Sequence, residues 1–278
     1  LSVNQGKGDK FRVLQRVGAF LLLGHKGGAS RYWEIDALRG VAIVMMVVYH
    51  LVYDLTLFGY YQANVFIGPW RVFARVTATL FILLVGVSLT LSHARISRKA
   101  SGWSLYENYL LRGLKLLGWG MVITLAAQVY TGRASIIFGI LHLIGTATIL
   151  AYPFLSLHLA NLVLGAAIIA LGVYLNELPV THDWLLVLGL KSPPTVYQLD
   201  YFPLLPWFGV ALLGLFAGQF LYPGGRRRFN LPGLGERPGV QELAWLGRRS
   251  LLVYLAHQPL LIAVLTLVGW SMGESGAI

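Results

Sequence analysis

Two ionisable side chains, His50 and Asp54, stand inside a long apolar run, Val41-Ala-Ile-Val-Met-Met-Val-Val-Tyr-His-Leu-Val-Tyr-Asp54. Their i, i+4 spacing puts them on one face of a helix. Asp36 can act as an N-cap, so a helix is expected to start there. At about 1.5 Å per residue, His50 then lies roughly 16 Å from Arg39, near mid-membrane. Ionisable groups at that depth are costly and should face a cavity or the bundle interior. A histidine oriented by a carboxylate can act as a general base toward a hydroxyl or amine. The same pair can instead be a buried structural ion pair or a hydrogen-bond bridge between helices.

Other polar residues in apolar surroundings divide in the same way. His142 lies in Phe138-Gly-Ile-Leu-His-Leu-Ile-Gly145. It can bind substrate or share a proton, or it can bond across helices, and Gly139 and Gly145 permit close approach there. Asp200 and Tyr201 precede an apolar run. Asp200 can contact a substrate or N-cap the helix that follows. His25, His93, His158 and His182 fall near interfaces and receive no role. The spacing of the membrane histidines fits no compact metal motif, so no metal is expected. Gly214-x-x-x-Gly218 reads as helix packing.

The elements that must position these residues are apolar helices. The chain has 278 residues, 56% hydrophobic and 12% charged, with a mean hydropathy of +0.67. Soluble domains carry about 25% charged residues, so this is a polytopic integral membrane protein of all-α class. Seven spans are expected, at about 37–58, 72–92, 110–130, 135–156, 159–176, 201–222 and 249–270. The formal charge of +11 does not imply nucleic acid, because the basic residues cluster between apolar runs. Most fall in 1–36, 93–109 and 223–248, whereas the alternate segments hold only Arg71, Arg133 and Lys191. That bias places the amino terminus inside and the carboxyl terminus outside. Pro153, Pro203 and Pro206 should kink two spans. The segment 177–200 should fold over the outer mouth as a re-entrant or surface element. Residues 1–30 read as a basic extension, interfacial or disordered, ahead of one domain over 31–278. The chain has no Cys, which excludes disulfides and thiol catalysis.

Arg39 and His50 stand ten residues apart in Asp-Ala-Leu-Arg-Gly…Tyr-His. This resembles the Arg-x10-His signature of the large transmembrane acyltransferase superfamily. Glu34-Ile-Asp-Ala-Leu-Arg-Gly40, Tyr49-His-Leu-Val-Tyr-Asp54, 138–145, Asp200-Tyr-Phe-Pro-Leu-Leu-Pro-Trp-Phe-Gly209 and Leu252-Val-Tyr-Leu-Ala-His-Gln-Pro259 follow in order. Together they resemble the branch that contains heparan-α-glucosaminide N-acetyltransferase catalytic domains and their small bacterial relatives. In the animal heparan enzymes the position of His50 resembles Asn, and the acting His lies in the next outer loop. Here that loop, 59–71, has no His.

The resemblance implies acetyl transfer from acetyl-CoA to a hydroxyl or amine of a sugar-like acceptor, in what would be a bacterial cytoplasmic membrane. His50 would be the base, with Asp54 and His142 beside it, and Asp200 and Tyr201 would meet the acceptor from outside. Arg39, Arg112, Lys115, Arg248 and Arg249 fall at inner ends of spans, where they can seat CoA phosphates or contact lipid headgroups. Arg112-x-x-Lys115 resembles an Arg-x-x-Arg element of the O-acyltransferase relatives, although Lys cannot make the bidentate contact of Arg. His257 can line the inner route of the acyl carrier, or satisfy backbone groups freed by Pro259. Membrane lipids and acyl-CoA are the expected partners, and homo-oligomerisation stays open. The alternative from another class is a proton-coupled or solute transporter that uses His50 and Asp54.

Overall fold

The computed structural model describes residues 32–131, 136–178, 182–190 and 200–271. The expected basic extension, 1–30, lies outside them. Among the described residues the regular structure is helical. The helices are α1 (Trp33–Leu57), α2 (Gly68–Ile96), α3 (Gly102–Thr131), α4 (Ile140–Leu150), α5 (Ala160–Leu175), α6 (Leu204–Leu221), α7 (Pro238–Arg248) and α8 (Ser250–Ser271).

Five of these, α1, α2, α3, α6 and α8, are long and apolar enough to cross a membrane. The apolar helices α4 and α5 occupy the expected places of spans four and five but are shorter. For α4 the reason is local. Pro153 lacks the N–H that an α-helix needs, and the chain tightens into a 3-10 turn at Tyr152–Ser156. Asn161 donates to the Phe154 carbonyl (2.8 Å) and Gln219 to the Leu155 carbonyl (2.7 Å), which satisfies the carbonyls of that turn. In α6 the irregularity sits at the amino end, where Leu205 is non-helical and Pro203 is the N-cap.

The core lies where α2, α4 and α6 meet, around Ile82, Leu89, Leu143, Leu212 and Leu215. Close helix approach depends on missing side chains. A Cβ on Gly214 would fall on the Leu83 carbonyl, and one on Gly86 would fall on the Ala211 carbonyl. Gly214 and Gly218 therefore serve helix packing, as their spacing suggests. The short amphipathic α7 packs along α1, with Gly247 against the Asp36 carbonyl.

Polar residues of Glu-Ile-Asp-Ala-Leu-Arg-Gly lock the start of α1. Glu34 accepts from the Tyr222 hydroxyl (2.8 Å) and from Arg227 through two bonds (2.9 and 2.6 Å). Such forked charge-assisted contacts fix geometry as well as energy. Asp36 is not an N-cap, because α1 already begins at Trp33. Its carboxylate instead pairs with Arg39 (3.0 Å) within the first turns.

Part of the expected outer cover is also ordered. Residues Asp183–Leu188 form a 3-10 turn whose Leu186 is fully buried. The Tyr201 hydroxyl donates to the Leu186 carbonyl (2.6 Å) and pins that turn.

Candidate functional site

The site is built on the contact between α1 and α8. Tyr254, His257 and Gln258 stand at i, i+3 and i+4 on one face of α8, an otherwise apolar helix. His50 of α1 meets His257 edge-to-face, with ring centroids 4.9 Å apart. One turn on, Asp54 is fully buried and accepts a hydrogen bond from the Gln258 amide (2.7 Å). No hydrogen bond or ion pair joins His50 to Asp54 among the described residues. The expected orienting partnership within α1 is therefore replaced by two contacts to α8. The physical reason is that i, i+4 residues share a face but not a direction, and each side chain turns toward the donor or ring nearest to it.

Hydrogen bonding also decides the tautomers. His257 Nδ1 lies 2.7 Å from the Tyr254 carbonyl. A carbonyl only accepts, so Nδ1 carries the proton and Nε2 of the neutral ring is an acceptor. His142 is the reverse. Its Nδ1 accepts from the Gly139 N–H (3.3 Å), so Nε2 of the neutral ring carries the proton and is a donor. His142 is buried, and its ring packs beside Phe138 and close to Gly120 of α3. No contact brings it to His50 among the described residues. In this tautomer it is suited to donate rather than to act as a base.

Asp200 does not cap α6, whose N-cap is Pro203. It caps α4 instead, accepting from the Ile140 N–H (3.1 Å) and from the Tyr254 hydroxyl. A Cβ on Gly139 would collide with that carboxylate, so the glycine makes room for it. A helix that starts inside the protein leaves unpaired N–H groups, and these need such partners. Tyr254 thereby ties α8 to the start of α4. Asp200 precedes α6 and belongs to no spanning helix. Burial raises its pKa to about 6, against the lowering effect of its two hydrogen bonds.

That shift has a checkable consequence. A carboxyl whose folded pKa lies above its unfolded value binds protons more tightly in the fold. Its contribution is full below the unfolded pKa of 3.8 and is lost as pH rises through about 6. Asp200→Asn should therefore flatten the fall in unfolding temperature between pH 4.5 and 7, measured in detergent. An unchanged slope would mean that Asp200 does not titrate in this window.

The basic residues have different partners. Arg39 is half-buried and bonded to Asp36 and to the Ser88 hydroxyl of α2. Arg112 is exposed on α3, near the charge of Arg95 and the Tyr109 ring, and Lys115 follows one turn later. Arg249 stacks on Trp245 (4.1 Å) at the α7–α8 break. Tyr254 and Gln258 were not expected at the site. The signal for them was present in the period of polar residues along α8.

The sequence profile of the family described as heparan-alpha-glucosaminide N-acetyltransferase, catalytic, matches residues 31–259. The match spans most of the chain and includes all five motifs, and the chain belongs to that family. No curated protein and no solved structure matches it. Family and fold together make this an integral membrane protein of an acetyltransferase family.

Proposed function

We propose that the protein transfers an acetyl group from acetyl-CoA to a hydroxyl or amine of a sugar-like acceptor, with His50 as general base. Family membership supports acetyl transfer. The observation that carries the site is the meeting of His50 with His257 beside the buried Asp54–Gln258 bond. It places an imidazole at the interface of two apolar helices, where water competes weakly for its proton. His50 takes the acceptor proton as the oxygen or nitrogen attacks the thioester carbonyl. The C–S bond breaks, and the CoA thiolate leaves with the proton that His50 returns.

The distribution of Lys and Arg supports seven spans with the amino terminus in the cytoplasm. In that orientation the donor enters from the cytoplasm and the acceptor from the opposite side of a bacterial cytoplasmic membrane. Arg112 and Lys115 are better placed than Arg39 to hold the CoA phosphates. Arg112 has no carboxylate partner among the described residues, whereas Arg39 is neutralised by Asp36.

Mass spectrometry of the purified protein tests the reading, with bound CoA or its acetyl thioester as the expected result. Arg112→Ala should weaken CoA binding on the order of tenfold, from the loss of about one charge-assisted contact. It should leave binding of a pantetheine-sized thioester unchanged. Equal losses for both ligands would make Arg112 structural. A protein that binds no CoA under any condition would favour the transporter alternative.

A further inference from the structure

We propose that His257 is a positioning residue that fixes the tautomer of His50 by accepting its ring N–H. This rests on the reading of His50 as base. The argument starts from His257 Nε2. Because Nδ1 donates to the Tyr254 carbonyl, Nε2 of the neutral ring must hold a lone pair. It is buried and has no hydrogen-bond partner among the described residues.

Two neighbouring groups direct donors elsewhere. The Tyr254 hydroxyl has one proton and gives it to Asp200. The Gln258 amide donates one of its two protons to Asp54. The ring packed against His257 is that of His50, with its centroid 4.9 Å away and its plane inclined by 62°. A rotation of the His50 ring brings one N–H onto Nε2.

The consequence is directional. With one His50 nitrogen donating to His257, the other carries the lone pair and is the one that can accept a proton. When the acceptor's X–H proton moves to that nitrogen, His50 becomes an imidazolium. Its charge is then shared with His257, whose own N–H is held by the Tyr254 carbonyl. The proton passes on to the departing thiolate, and both rings return to their starting tautomers. Without His257, the proton of neutral His50 is free to occupy either nitrogen, and part of the population presents a donor to the acceptor substrate.

The test uses the full chain in lipid nanodiscs, with 15N-labelled histidine rings and signals assigned through His50→Gln and His257→Gln. Protonated and unprotonated ring nitrogens are distinguished spectroscopically. The expected wild-type spectrum at pH 8 shows His257 protonated at Nδ1 alone and His50 in a single tautomer. In His257→Phe, His50 should become a mixture of tautomers. Acetyl transfer should fall on the order of 10²-fold with acetyl-CoA binding retained. His257→Gln keeps an acceptor oxygen near the position of Nε2, and should restore the single tautomer and most of the rate. His257 protonated at Nε2, or an unaltered His50 spectrum in His257→Phe, would overturn the proposal. These spectra do not depend on turnover, so they separate this proposal from the assignment of acetyl transfer, which would fail through absence of CoA binding.

Discussion

Replacing His50 with Ala is expected to reduce acetyl transfer by about 10²–10⁴-fold, the usual contribution of a positioned general base. Binding of acetyl-CoA should remain. The fold should tolerate the change, because His50 is half-buried and its recorded contacts are ring contacts with Tyr49 and His257. Losing those contacts costs about 0.5–1.5 kcal/mol beyond the buried area. The measurement is single-turnover transfer from labelled acetyl-CoA to a small amino sugar, beside the thermal unfolding of each variant. Near-normal transfer in His50→Ala, with none in His142→Ala, would move the base to α4. Loss of expression in both would make the two histidines structural. The tautomer of His142 argues against a base on α4, since its Nε2–H must leave before that atom can accept a proton.

Asp54 should separate charge from clasp. Asp54→Ala removes the partner of a buried amide and should destabilise the protein by about 1–3 kcal/mol, the cost of an unsatisfied buried group. Asp54→Asn should not. Its side-chain carbonyl can still accept from the Gln258 amide, and its new N–H₂ can reach the Gln258 Oε1, which has no partner among the described residues. The Asn variant should therefore unfold at or above the wild-type temperature. Its transfer rate should still fall, by on the order of tenfold. A carboxylate about one helical turn from His50 stabilises the imidazolium by about 1–3 kcal/mol at an effective dielectric near 20, and the amide cannot. Full activity in Asp54→Asn would make Asp54 a clasp alone. Inactivity together with unfolding would mean that the two amides do not pair.

Much of the fold was legible in composition. Among the described residues, five helices long and apolar enough to cross a membrane stand where apolar length places them, because burial in lipid constrains length and hydropathy more than any particular contact. Family membership was legible too, since the five motifs carry it in order. Length alone overstated two helices. Window hydropathy cannot see that Pro153 ends α4, or that its amino terminus begins inside the protein.

The sequence by itself determined which polar residues enter the apolar region and which face of α1 carries His50 and Asp54. Only the tertiary structure decided their partners. Asp54 finds Gln258 more than two hundred residues away, His50 finds His257, and Asp200 caps a helix that starts 60 residues before it in the chain. Local spacing defines a face to within a turn, but hydrogen bonds need donor and acceptor within about 3 Å and in line. That requirement is met by how helices pack, and packing here is set by glycines, carbonyls and buried side chains contributed from distant parts of the chain.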